Sequence, residues 1–188
     1  MTSVKGVLGL MGRYHLWGNR RICQAVRHAN ACGKKDVHFA PDGTYFGSIH
    51  ATLAHISGVD DLWYRRVTGA EASMYNSFYE DATPPSAWSQ LYPTLDLVSE
   101  ALERHSVRWI TYVAELNECE LAENIEFLDT RGAPVVRQRG AALLHVFNHG
   151  THHRGQIHAA LTSLDNGRYR DSAPALDLPL VGAENFTI

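Results

Sequence analysis

The apolar positions of this chain recur with helical spacing over four long stretches. In the first, Leu8, Met11, His15, Ile22 and Val26 share one face and predict a helix from about Val7 to His28. Gly, Pro and Asp then mark Asn30 to Gly43 as a loop. A second helix is predicted from Ser48, a residue type that caps helix N-termini, to Val67, with Gly69 just past its end. A further loop, Asp81 to Ser86, carries Pro84-Pro85. The third helix extends from about Ser86 through Leu95, Val98, Leu102 and Trp109 to near Leu116, with Pro93 either interrupting it or lying in its first turn. Leu121 to Gln138 breaks the rhythm. There Ile125, Phe127 and Leu128 precede Thr130-Arg131-Gly132 and Val135-Val136, the pattern of a small hairpin or an irregular connector. A fourth helix runs from about Gly140 to Leu164, ahead of Asn166-Gly167. The tail, Arg168 to Ile188, has two prolines and little periodicity. Four amphipathic stretches and one irregular crossover predict an all-α fold, a four-helix bundle forming a single domain over residues 1–188.

Composition narrows the class. The content of 45% hydrophobic and 20% charged residues is that of an ordinary globular chain. A net charge of −3 without a basic stripe argues against a nucleic-acid partner, and Arg20-Arg21 and Lys34-Lys35 read as solvated surface. No stretch approaches the ~20 apolar residues that span a bilayer, and the N-terminus lacks a secretory pattern, so a cytoplasmic protein without a membrane partner is expected. Cys23, Cys32 and Cys119 form no C-x-x-C motif, and their odd number reads as reduced, structural thiols.

The unusual feature is eleven histidines, five of them between His145 and His158. His149 and His153 are four apart, one turn along the predicted fourth helix, and two imidazoles so placed can chelate one ion. His145 is also four from His149 and competes formally. With His145 set at zero on a helical wheel, the apolar arc of Leu143, Val146, Ile157 and Leu161 centres near about 140°. His153 then falls near about 80° and His149 near about 40°, closer to that arc than His145. His152 and His158 fall outside the pair. On the second helix, His55 lies within the apolar arc between Val59 and Leu62, whereas His50 falls on the opposite, solvent side. His55 is therefore the second-helix candidate for a third ligand.

The same residues carry a resemblance. His145 to Ile157, ending in His153-Arg154-Gly155-Gln156-Ile157, resembles the C-terminal signature of the DinB (DinB/YfiT-like) family. Leu53-Ala54-His55-Ile56 and Leu62-Trp63, before Arg66 and Gly69, resemble its second helix. Trp17-Gly18-Asn19 is similar to its first-helix pattern, and Asp177 to a tail aspartate. The resemblance implies an up-down-down-up bundle, a divalent metal held by His55, His149 and His153, and a homodimer.

Three neutral histidines leave a coordination position for water or substrate, which is the pattern of a catalytic site. Zinc and nickel suit imidazole best, with iron or manganese also compatible. The expected function is a metal-dependent enzyme, either a hydrolase or a transferase acting with a small thiol on a small-molecule substrate. The alternative is a non-catalytic metal-binding or stress-response protein. His145, Asn148 and Gln156 are candidates to orient ligands, Arg154 reads as structural, and Trp17 and Trp63 read as core. Asp60 sits at the edge of the apolar arc and should be paired, as a structural partner more than a catalytic base.

Overall fold

The computed structural model describes residues 3–32, 36–79 and 85–167. Asp177 and the rest of the tail, Lys34-Lys35, and most of the predicted 81–86 loop lie outside them. Four long helices form the bundle: α1 (Val4–Cys32), α2 (Ile49–Thr68), α3 (Leu95–Glu115) and, after the short α4 (Glu118–Ala122), α5 (Arg139–Gly167). The segment predicted as hairpin or connector is a hairpin. Strands β1 (Asn124–Leu128) and β2 (Pro134–Gln138) pair antiparallel, with Phe127 opposite Val135. Asp129 holds the turn, its carboxylate accepting the backbone N–H groups of Arg131 and Ala133, and Gly132 supplies a left-handed residue at φ 79°.

The helix ends follow local chemistry. The Ser48 side chain accepts from Ala51 N at 3.1 Å, a cap that contributes about 1 kcal/mol. Gly69, at φ 74°, ends α2 in the left-handed conformation, and Ala70 N–H donates to Arg65 O at 2.8 Å. The third helix is shorter than expected. Pro85–Leu91 is a separate 3-10 helix, and α3 begins only after Pro93, with Thr94 accepting from Leu97 N. Proline disfavours helical backbone at the residue before it and brings no N–H, so the two pieces cannot merge.

Cross-helix contacts give the directions. Arg27 pairs with Asp96 and Lys5 Nζ donates to Ala114 O, so α1 and α3 are antiparallel. His105 packs at Ser57, Arg108 pairs with Asp61, and Tyr112 donates to Val67 O, so α2 and α3 run parallel. Gly12 faces Phe147 while Asn19 meets Arg154, so α1 and α5 are parallel. His55 meets His149 and Trp63 meets His145, so α2 and α5 are antiparallel. The arrangement is up-down-down-up, with α1 and α2 each packed mainly against α3 and α5.

Two apolar clusters fill the bundle. One contains Ile22, Leu53, Ile56, Leu102 and Leu161, the other Trp109, Val113, Leu143 and Phe147. Each such side chain contributes roughly 1.5–3 kcal/mol by leaving water. A buried polar chain crosses the interior. His15 Nε2–H donates to Asp60 at 2.8 Å, and Arg154 donates to His15 Nδ1 at 3.1 Å and to Asn19 Oδ1 at 2.9 Å. Asn19 donates in turn to Ser106 at 3.0 Å. A neutral imidazole thus bridges a buried guanidinium and a buried carboxylate, the pairing that burial of charge requires. Asp60 is the structural partner the sequence suggested, and Arg154 is structural too. Among the described residues no helix is long and apolar enough to cross a membrane.

Two further expectations about burial are corrected. His50 does not face solvent; it is fully buried, and its Nε2–H donates to Tyr92 O at 2.6 Å. Segments outside the long helices cover that side: the ring of Phe39, at the end of the 3-10 turn Val37–Phe39, lies tilted 4.3 Å from it, and His38 lies 5.3 Å away. Trp17 and Trp63 are only half-buried, and the wholly buried tryptophans are Trp88 and Trp109.

Candidate metal centre

His55 lies in the second turn of α2 on the face toward α5, where α5 presents His149 and His153 one turn apart. The structure brings all three together. Nε2 of His55 stands 3.0 Å from Nε2 of His149, and the ring centroids of the three imidazoles are 4.4–4.9 Å apart. Each residue offers a nitrogen such that all three lie within 4.8 Å of one another. Two imidazole nitrogens bound at ~2.0–2.1 Å to one tetrahedral ion stand roughly 3.3 Å apart, close to the 3.0 Å between His55 and His149, so the donor set is compatible with a single divalent ion.

The surroundings fix tautomer and charge. Gln156 Oε1 accepts from His153 Nδ1–H at 2.7 Å, which leaves His153 Nε2 as the lone-pair nitrogen. The same amide donates to His152 Nε2 at 3.2 Å, consistent with that orientation. Gln156 is therefore one of the suggested orienting residues that touches a candidate ligand. Burial lowers the basicity of all three histidines. His55 is pushed down to about 2, by burial and then by His153. His149 is lowered by burial and by its histidine neighbours, and His153 by burial against the opposing bond to Gln156. Neutral imidazole is the form that binds metal, so no proton has to be displaced near neutral pH.

Sequence reasoning missed the walls of the site. The Phe46 ring stacks on His55 at 4.1 Å, and Trp88 meets the same imidazole edge-on at 4.6 Å. Trp88 can approach because α2 carries Gly58, where a Cβ would meet Trp88 Cζ3 at 2.5 Å. Both aromatics come from segments outside the long helices; the sequence placed Phe46 in a loop-like stretch and Trp88 in the first turn of the predicted third helix. His145 and Asn148 are exposed. His145 packs 5.0 Å from Trp63 and 6.0 Å from His149 by ring centroids, and does not join the three-nitrogen group. Asp60 directs its carboxylate to His15 and does not join the three-nitrogen group.

A comparison with curated proteins found no match. A comparison at family level matches residues 3–167 to the DinB family. That match takes in the whole bundle and all three histidines, and the chain belongs to the DinB family.

Proposed function

We propose that this protein is a divalent-metal-dependent enzyme that uses His55, His149 and His153 to hold the ion, as a hydrolase or a small-thiol-dependent transferase. The observation that carries the reading is the convergence of three neutral imidazoles from α2 and α5, with no carboxylate joining them among the described residues. An all-neutral donor set leaves the full charge of the ion available to a fourth, anionic ligand. When bound, the metal would supply Lewis acidity and lower the pKa of a coordinated water or thiol. The chain's own residues do the rest. Gln156 keeps His153 in its ligating tautomer. Phe46 and Trp88 hold the His55 ring and exclude water from its faces. Zinc or nickel suits the donor set best, with iron or manganese compatible. A homodimer is proposed alongside, to be checked by sedimentation.

The test is metal analysis and turnover with the untagged protein. Near-stoichiometric metal should be found in the purified protein and lost in His55→Ala, His149→Ala and His153→Ala. The metal-loaded protein should turn over ester or small-thiol substrates, and His153→Ala should not. Retention of metal in all three variants would sink the ligand set. Tight metal binding without an exchangeable water would favour the non-catalytic alternative.

A further inference from the structure

A second place of interest lies along the same helix as the ligating histidines. One turn before His149, His145 is exposed on α5, its ring between those of His149 and Trp63. Beyond it the β1–β2 hairpin folds over the start of α5 and bounds a cavity of about 450 Å³. Trp63, Phe127 and His145 form aromatic walls, Val135 and Ala142 aliphatic ones, and Arg137 contributes a guanidinium. The Trp63 and Phe127 rings meet edge to face at 5.2 Å. Arg66 braces both from behind, 4.9 Å and 4.7 Å from their centroids. A cavity of this size and lining suits a small organic molecule.

Charge on the wall selects among such molecules. Asp129 also lines the cavity; its Oδ1 accepts two backbone N–H groups of the hairpin turn, each at 2.9 Å, which keep its carboxylate ionised and fixed at the turn, so an anionic ligand is drawn to the Arg137 side. Arg137 is exposed, and the one hydrogen bond of its guanidinium among the described residues is to the carbonyl of its neighbour Val136. Most of the five guanidinium donors are therefore available to an anion.

We propose that this cavity binds the organic part of the substrate, and that the substrate class is a small carboxylate bearing a flat apolar group. The ring lies between Trp63, Phe127 and His145, and the carboxylate pairs with Arg137. His145 and His149 are one helical turn apart, about 5–6 Å along α5, so a molecule held against His145 lies beside the histidine cluster. The inference rests on the enzyme reading above, and its test separates the two.

Titrating 3-phenylpropanoate and neutral 3-phenylpropanamide into metal-free protein by calorimetry reads the cavity without the metal. The carboxylate should bind more tightly than the amide. Arg137→Gln should weaken the carboxylate about tenfold, the equivalent of ~1.4 kcal/mol of charge-assisted pairing, and leave the amide nearly unchanged. Ala141→Phe, at an exposed position on the same wall, should abolish binding of both. Both substitutions are at exposed positions, and unchanged melting curves would confirm that the fold is intact. No binding to the wild-type chain, equal affinity for acid and amide, or insensitivity to both variants would each overturn the proposal. Failure of the metal reading would appear separately, as absence of zinc binding with the cavity titration intact.

Discussion

A Cβ added at Gly150 would meet Nδ1 of His15 at 2.6 Å and Nη1 of Arg154 at 2.9 Å. Both neighbours are buried and held in the polar chain between Asp60 and Asn19, so neither can yield without breaking hydrogen bonds. Five residues on, Gly155 has nothing within 4 Å of the corresponding position. Gly150→Ala should therefore destabilise the protein by about 1–3 kcal/mol through overpacking, more than the ~1 kcal/mol that alanine gains in a helix. Gly155→Ala should stabilise it by about 0.5–1 kcal/mol. Urea midpoints that move in opposite directions would bear this out, and a shared upward shift would refute it. The glycines, Asn19 and Arg154 all stand in the short patterns quoted for the family, but nothing in those patterns says that they meet. The Arg154–Asn19 bond joins residues 135 apart in the chain, and only the parallel packing of α1 and α5 creates it.

At the scale of elements, α2 shows where the sequence is informative and where it stops. Its ends were legible because capping is local: Ser48 and Gly69 act on backbone groups within a few residues. Its faces were half legible. The wheel placed His55 inward correctly, because the long helices pack there. It placed His50 outward because the 3-10 segments that cover the far side have no strong periodicity of their own. The outcome predicts a particular cost. His50→Leu puts an apolar side chain of similar volume there that cannot donate to Tyr92 O, and leaving that acceptor unpaired should cost about 1–3 kcal/mol. A solvent-facing histidine would change stability by no more than ~0.5 kcal/mol. Thermal melts distinguish the two, and zinc titration of the same variant should show metal binding retained. The division of the predicted third helix at Pro93 was likewise open in the sequence, which allowed an interruption there but gave no sign of the 3-10 helix before it.

For the whole molecule, the histidines matter because of which helices they join. α2 and α5 are separated in sequence by α3, α4 and the hairpin, and run antiparallel beside each other. An ion held by His55 from one and by His149 and His153 from the other would fasten two helices that are otherwise joined by apolar packing, ring contacts and the Arg139–Val67 hydrogen bond. In the metal-free protein the same place holds two buried imidazoles whose Nδ1 atoms have no partner among the described residues, a local cost to the fold. Metal binds the folded arrangement and not the unfolded chain, so it should stabilise by about 2.7 kcal/mol at a free concentration a hundredfold above Kd. For a chain of this length that corresponds to a rise in Tm of roughly 5–10 °C. The rise should disappear on chelation and in His55→Ala, which leaves both α5 ligands in place but removes the link to α2. It should persist in His145→Ala, because His145 stands outside the three-nitrogen group. Equal melting temperatures for the metal-loaded and chelated wild-type protein would show that the three histidines do not bridge the helices through a metal.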